Sequence, residues 1–136
     1  MNIVGHGIDL VDTERVAQMV ARHGAHFLDR CFTKGEQSYA TQNQSRMAEH
    51  LAGRFAAKEA ALKVLGTGLS GGIEWTDVEV VREGNGKPVL KLSGEAARVA
   101  AGLGIDQWWI SISHIKSHAM ASAIGVATGA VGHGEL

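Results

Sequence analysis

A single unbroken run of helix formers, from about Arg46 to Gly66, constrains this chain more than any other feature. Ala, Leu, Lys, Glu and Met fill it, and Gly66 stands where a left-handed residue ends a helix. Leu51, Phe55, Leu62 and Leu65 recur at helical spacing and predict a buried stripe. Lys58 falls inside that stripe and Glu59 at its edge. A charge pointed at a helix's own packed side needs a reason, because burying it unpaired is costly. The ordinary reason is that Lys58 snorkels outward and Glu59 pairs with Lys63 one turn on, a contact of about 0.3–0.5 kcal/mol. The sharper reason is that Glu59 is a metal or proton ligand while Lys58 and Lys63 bind phosphate. Helix physics alone favours the first.

The rest of the chain sets bounds. Its 136 residues make one domain, with a core but no room for two. A net charge of −1 provides no global basic field for nucleic acid, so any anion site is local. The lone Cys31 excludes an internal disulfide and suits a reducing cytoplasm. No apolar run approaches the ~20 residues that span a bilayer, so no membrane role is expected. The start, Met-Asn-Ile-Val-Gly, lacks the pattern of a signal peptide.

Alternation from Ile3 to Leu10 predicts a strand with Val4, His6, Ile8 and Leu10 on one face. The other face carries Ile3, Gly5, Gly7 and Asp9, and its glycines admit a ligand or another backbone at close range. Asp12 or Thr13 caps a helix over Thr13–His23 with Val16, Met19 and Val20 buried. Arg15, Gln18 and Arg22 line its opposite side, which in most helices is simply a solvated basic face. Thr33-Lys-Gly-Glu36 is a capping box opening a short helix through Tyr39 and Ala40, with Phe27, Leu28 and Phe32 as core ahead of it. His23, His26 and His50 show no metal-ligand spacing, so zinc is not expected. Leu69–Gly72 reads as a loop, and Asp77–Arg82 and Pro88–Leu92 as a hairpin turning at Asn85-Gly86, a pair suited to positive φ. A short helix over Glu95–Leu103 precedes two paired strands, Trp108–Ile115 and Ala119–Val126. Trp108, Ile110, Ile112 and His114 share one face of the first; Trp109, Ser111, Ser113 and Ile115 share the other. A histidine ending an apolar face is more often a satisfied core residue than a ligand. One folded unit over 1–127 and a frayed, glycine-rich tail over 128–136 complete the reading.

Arg54-Phe-Ala-Ala-Lys-Glu-Ala, with Lys63 and Gly66-Thr67-Gly68 after it, resembles the core motif of the holo-acyl-carrier-protein synthases, the small members of the phosphopantetheinyl transferase superfamily. Gly7-Ile-Asp9, the loop Asn85-Gly86-Lys87-Pro88 and Ser111-Ile-Ser113-His114 match in order and spacing, so that the resemblance covers nearly the whole chain. It implies an α+β fold, 4′-phosphopantetheinyl transferase-like, with an antiparallel sheet packed on one long helix. The implied reaction moves 4′-phosphopantetheine from coenzyme A to a serine of apo acyl carrier protein, for fatty-acid biosynthesis. Asp9 and Glu59 would hold magnesium or manganese, Lys63 would neutralise the diphosphate, and Lys58 would do so or help accept the proton. Activation of the serine by Glu59 or by water on the cation stays open. Arg54, Gly66, Thr67, Gly68, Asn85, Gly86, Lys87, Pro88, Ser113 and His114 are the implied coenzyme contacts. Arg15, Gln18 and Arg22 would dock the acidic carrier protein. The larger members carry a tryptophan near the start of the motif, where Arg54 and Phe55 stand, so the chain matches the small, homotrimeric branch. Adjacent Trp108 and Trp109, which cannot both enter one core, hint at the same assembly. A metal-dependent nucleotide-diphosphate hydrolase and a non-catalytic binding module remain as alternatives.

Overall fold

The computed structural model describes residues 1–129. Its elements in chain order are β1 (Asn2–Asp12), α1 (Thr13–His23), α2 (Ala25–Cys31), α3 (Lys34–Thr41), α4 (Met47–Leu65), β2 (Val78–Arg82), β3 (Pro88–Leu92), α5 (Gly94–Gly102), β4 (Gln107–His114) and β5 (His118–Ala127). Three strands form an antiparallel sheet in the order β1-β5-β4, and β2 and β3 form a separate hairpin. The α+β architecture is the one expected, with α4 against both sheets.

α4 is buried on more sides than its leucine stripe predicts. Ala52, Ala56, Ala57, Ala60 and Ala61 are fully buried beside Leu51, Leu62 and Leu65. Helix and sheet meet through small residues: Ala119, Ala121 and Ala123 of β5 are buried as well. On β1 the glycine-stripped face receives backbone rather than ligand. A Cβ on Gly7 would lie 2.0 Å from the carbonyl oxygen of Ala60, so only glycine permits the contact. Gly66 ends α4 at φ 79° and donates its N–H to Leu62 O, as a left-handed cap does.

Lys58 neither snorkels nor reaches solvent. Its side chain is fully buried, with Nζ 2.7 Å from Glu36 Oε1 and donating to the carbonyls of Trp75 and Val78. Glu36 is the acid of the capping box: Oε1 accepts from Thr33 N at 2.8 Å, while Oε2 accepts from Val80 N at 2.7 Å. One ion pair thus joins α3, α4 and β2. Burial pushes the Lys58 ammonium below its usual pKa, against the pull of Glu36.

Asp12 caps α1 by accepting from Glu14 N at 2.9 Å. Val16 is buried as expected, but Met19 is 39% exposed, because it lines an open cleft together with Phe27 of the unforeseen helix α2. Seven residues are too few to show a helical period in the sequence. Phe27, Phe32, Phe55 and Trp75 then form a chain of ring contacts under α4, the last pair with centroids 4.7 Å apart. In the β2–β3 turn only Gly86 takes positive φ; Asn85 instead accepts Lys87 N on its side chain at 2.9 Å. Thr128 is tied to Asp106 through N and Oγ1, so the tail expectation otherwise falls on residues outside those described. The sheet face turned away from α4 leaves Ile8, Leu10, Trp109 and Met120 exposed. Among the described residues no helix is long and apolar enough to cross a membrane.

Removing one member of the buried pair leaves the other charged and alone, at about 3–5 kcal/mol. Lys58→Met is therefore expected to lower the unfolding free energy by that amount in urea. Lys58→Met combined with Glu36→Gln should recover part of it, and a simple sum of the two single losses would contradict the pairing.

Candidate active site

Asp9 sits on β1, on the face turned toward α4, and Glu59 meets it from the helix. Both line a cleft of about 510 Å³ whose walls include Arg15 and Met19 of α1, Phe55 and His118. Glu59 has no hydrogen bond or ion pair among the described residues, and its carboxyl is pushed above the usual range by burial and then by the neighbouring Asp9 charge, with Lys63 opposing. Lys63 does not pair with Glu59: its Nζ lies 3.2 Å from Asp9 Oδ1 and donates to Ile8 O at 2.8 Å. Two crowded carboxylates, one of them without a donor, are what a hard divalent cation would hold, with the remaining positions left to phosphate oxygens and water. No group of three or more histidine, cysteine or acidic side chains suited to a metal occurs among the described residues.

A second hollow, about 310 Å³, continues from Glu59 past Lys63 to Gly66 and Gly68. Thr67 lies between those two glycines, its Oγ1 donating to Gly68 O at 3.2 Å. Arg15, Gln18 and Arg22 are exposed on α1, and neither arginine has an ion-pair partner among the described residues.

Lys58, expected beside these groups, is not at this site. It lies one residue before Glu59, about 100° round the helix, and is committed to Glu36. It cannot touch phosphate or substrate without dismantling that pair.

Arg54 and His114 are gathered elsewhere. Arg54 precedes Glu59 by five residues, about 140° round α4, and with His114, Pro88, Arg82, Glu49 and His50 lines a hollow of about 180 Å³. Arg54 is 3% exposed, stacks 4.0 Å from the centroid of the Tyr39 ring, and leaves Nε without a partner. Arg82 approaches the same ring at 5.0 Å. Among the described residues no carboxylate pairs with Arg54, so a buried guanidinium without an ion pair lines this hollow. His114 Nδ1 lies 3.0 Å from Glu49 Oε1. Lys87 stands over the Trp109 ring at 4.8 Å, which places the Asn85–Pro88 turn beside the outer sheet face. Ser113 is exposed on that outer face and lines neither the Asp9 cleft nor the Arg54 hollow. Tyr39, Glu49, His50 and Arg82 were not proposed as site residues from the sequence; an arginine in the α4 run without an acid at helical spacing was the available signal.

Residues 5–122 match the family described as the 4′-phosphopantetheinyl transferase superfamily. A holo-[acyl-carrier-protein] synthase from Koribacter versatilis is 47% identical over 122 residues, 90% of this chain and 97% of its own. One from Protochlamydia amoebophila is 45% identical, over 89% of this chain and 96% of its own. The crystal structure of the holo-[acyl-carrier-protein] synthase from Neisseria meningitidis has a TM-score of 0.82 at 28% identity, covering 92% of this chain and 99% of that one. A holo-(acyl-carrier-protein) synthase from Bacillus anthracis in complex with CoA (3′,5′-ADP) has a TM-score of 0.74 at 35% identity, covering 90% and 96%.

Protons would compete with any cation held at Glu59, and its raised pKa would make that competition begin at higher pH than for an ordinary carboxylate. Mn²⁺ affinity followed by electron paramagnetic resonance should fall as pH is lowered below neutral, starting at a higher pH than for an exposed carboxylate. Glu59→Gln should be weak and nearly flat over the same span; a flat wild-type profile would remove Glu59 from the cation site.

Proposed function

The chain belongs to the holo-[acyl-carrier-protein] synthases of the 4′-phosphopantetheinyl transferase superfamily, and from this we infer that it transfers 4′-phosphopantetheine from coenzyme A to a serine of apo acyl carrier protein. The serine oxygen forms a bond to the phosphorus next to pantetheine, and adenosine 3′,5′-bisphosphate departs with the electrons of the broken P–O bond. The observation that carries this reading is the meeting of Asp9 and Glu59 in a cleft that also reaches Arg15 on α1.

Asp9 and Glu59 would hold Mg²⁺ or Mn²⁺. When bound, such a cation neutralises charge on the diphosphate at the reacting phosphorus. Lys63 is half-exposed and tethered only to the β1 edge, so it can exchange Asp9 for a diphosphate oxygen. Gly66, Thr67 and Gly68 shape the neighbouring hollow. Arg54, His114 and the Asn85–Pro88 turn take the nucleotide end. Because these two sets face different sides of α4, one chain does not present them as a single surface. A homotrimer that covers Ile8, Leu10, Trp109 and Met120 supplies the second set from a neighbouring copy. Light scattering should accordingly give about three times the 14.4 kDa chain mass. The lone, buried cysteine fits a reducing cytoplasm.

Incubation with coenzyme A, magnesium and apo carrier protein, read by carrier mass, tests the whole reading. The modified carrier is expected; hydrolysis products with unmodified carrier, or no reaction, would refute it.

Arg15 lines the cleft and Arg22 lies about two turns further along α1. Both are exposed and neither has an ion-pair partner among the described residues, which leaves them to steer an acidic protein. Arg15→Glu with Arg22→Glu should raise KM for the carrier by about tenfold or more at low salt and by less at 0.5 M, where the Debye length is only about 4 Å. KM for coenzyme A and the melting temperature should hardly move. Equal rises in both KM values would assign the ridge to the coenzyme instead.

A further inference from the structure

Glu49 has no part in the reading so far, yet it controls the histidine at the end of β4. It is the carboxylate among the residues lining the Arg54 hollow, and His114 Nδ1 lies 3.0 Å from its Oε1. A carboxylate only accepts hydrogen bonds, so Nδ1 carries the proton in that contact. A neutral ring held this way presents a bare lone pair at Nε2, which repels an anion. Only the doubly protonated ring donates from both nitrogens. The charged and titratable groups around the couple are Glu49, His50 and Arg54 of α4, Arg46 just before it, 3.7 Å from Glu49, Arg82 of β2, Tyr39 of α3 against His50, and His118 of β5, which lines a hollow with His114. His50, whose ring centroid is 6.0 Å from that of His114, is held below the usual histidine pKa by burial and then by Arg54, so it does not compete for the proton.

We propose that Glu49 is a positioning residue for coenzyme recognition: it fixes the proton of His114 on Nδ1, so that a phosphate of the nucleotide can be bound at Nε2 only together with a second proton. The inference rests on the assignment of the Arg54 hollow to the nucleotide end of coenzyme A. Glutamine in place of Glu49 can accept through its oxygen or donate through its nitrogen, and no longer dictates the tautomer. A neutral His114 can then turn its N–H toward the phosphate without taking up a proton.

The test is KM for coenzyme A between about pH 6 and 8 at saturating carrier, for wild type, Glu49→Gln, Glu49→Asp, His114→Gln and Arg54→Gln. Wild-type KM should rise with pH more steeply than that of Glu49→Gln, by up to about tenfold per pH unit, the limit for one coupled proton. The ionisation of the coenzyme's own phosphate is common to all variants and cancels in that comparison. His114→Gln should lose the extra slope, and Glu49→Asp should restore part of it, with the differences in KM rather than kcat. Coincident profiles for wild type and Glu49→Gln would overturn the proposal. So would a Glu49→Gln protein with a lowered melting temperature and no recovered slope in Glu49→Asp, which would mark a purely structural acid. If Arg54→Gln leaves KM unchanged at every pH, the assignment of the hollow itself fails, and the proposal with it.

Discussion

The ion pair between Lys58 and Glu36 sets the orientation of everything the site requires. It lies where α3, α4 and the β2 strand meet, and each of its polar atoms finds a backbone group or the opposite charge. A helix pinned at Lys58 toward the hairpin has its rotation decided. Glu59, the next residue, then faces β1 and Asp9, while Arg54 faces the turn of β2 and β3. The same acid closes the capping box of α3, so that Tyr39, on that helix, is held beneath the Arg54 guanidinium. Replacing such a pair by apolar groups is often neutral for stability; here it would also remove the link between helix rotation and site geometry.

Contact between α4 and the main sheet works differently, through the absence of side chains. Gly7 lets the β1 backbone lie against Ala60, and the alanines of β5 and α4 keep helix and sheet close along their length. Asp9 and Glu59 therefore project from two backbones already in contact, rather than reaching across a layer of large side chains. Lys63 extends back to Ile8 and Asp9 from the same helix face. The outer face of that sheet has the reverse character, with large apolar residues turned to the exterior.

Much of this was legible in the sequence. The long helix, its glycine end, the two hairpins and the capping box at Thr33 carry local signals of period, cap and turn. Asp9 and Glu59 drew notice because a carboxylate on a glycine face and another at the edge of an apolar stripe each break the local pattern, but their role as ligands came only from the family resemblance. Lys58 broke it too, and its meaning came out differently. A buried lysine and a ligand lysine look alike until the partner is known, and Glu36 lies 22 residues away in another helix. Met19 was misplaced because an apolar stripe does not say which of its residues borders a cleft instead of a packed neighbour. The separation of Arg54 from Glu59 around α4 followed from helix geometry alone and could have been drawn from their spacing.

The main sheet also has a temporal consequence. Among the described strands β5 comes last and is central to its sheet, with β1 and β4 each hydrogen-bonded to it. During synthesis β1 emerges long before β5, and it must wait for that strand before it can join the sheet. Until then α4 has no strand of β5 to cover its alanines, and the nascent chain carries an unpaired strand edge, the kind of surface on which aggregation begins. Closing that pairing spans most of the sequence, a high contact order for so short a chain. Completion of the sheet, and with it the placing of Asp9 against Glu59, is thus a late event that awaits release of β5 from the ribosome.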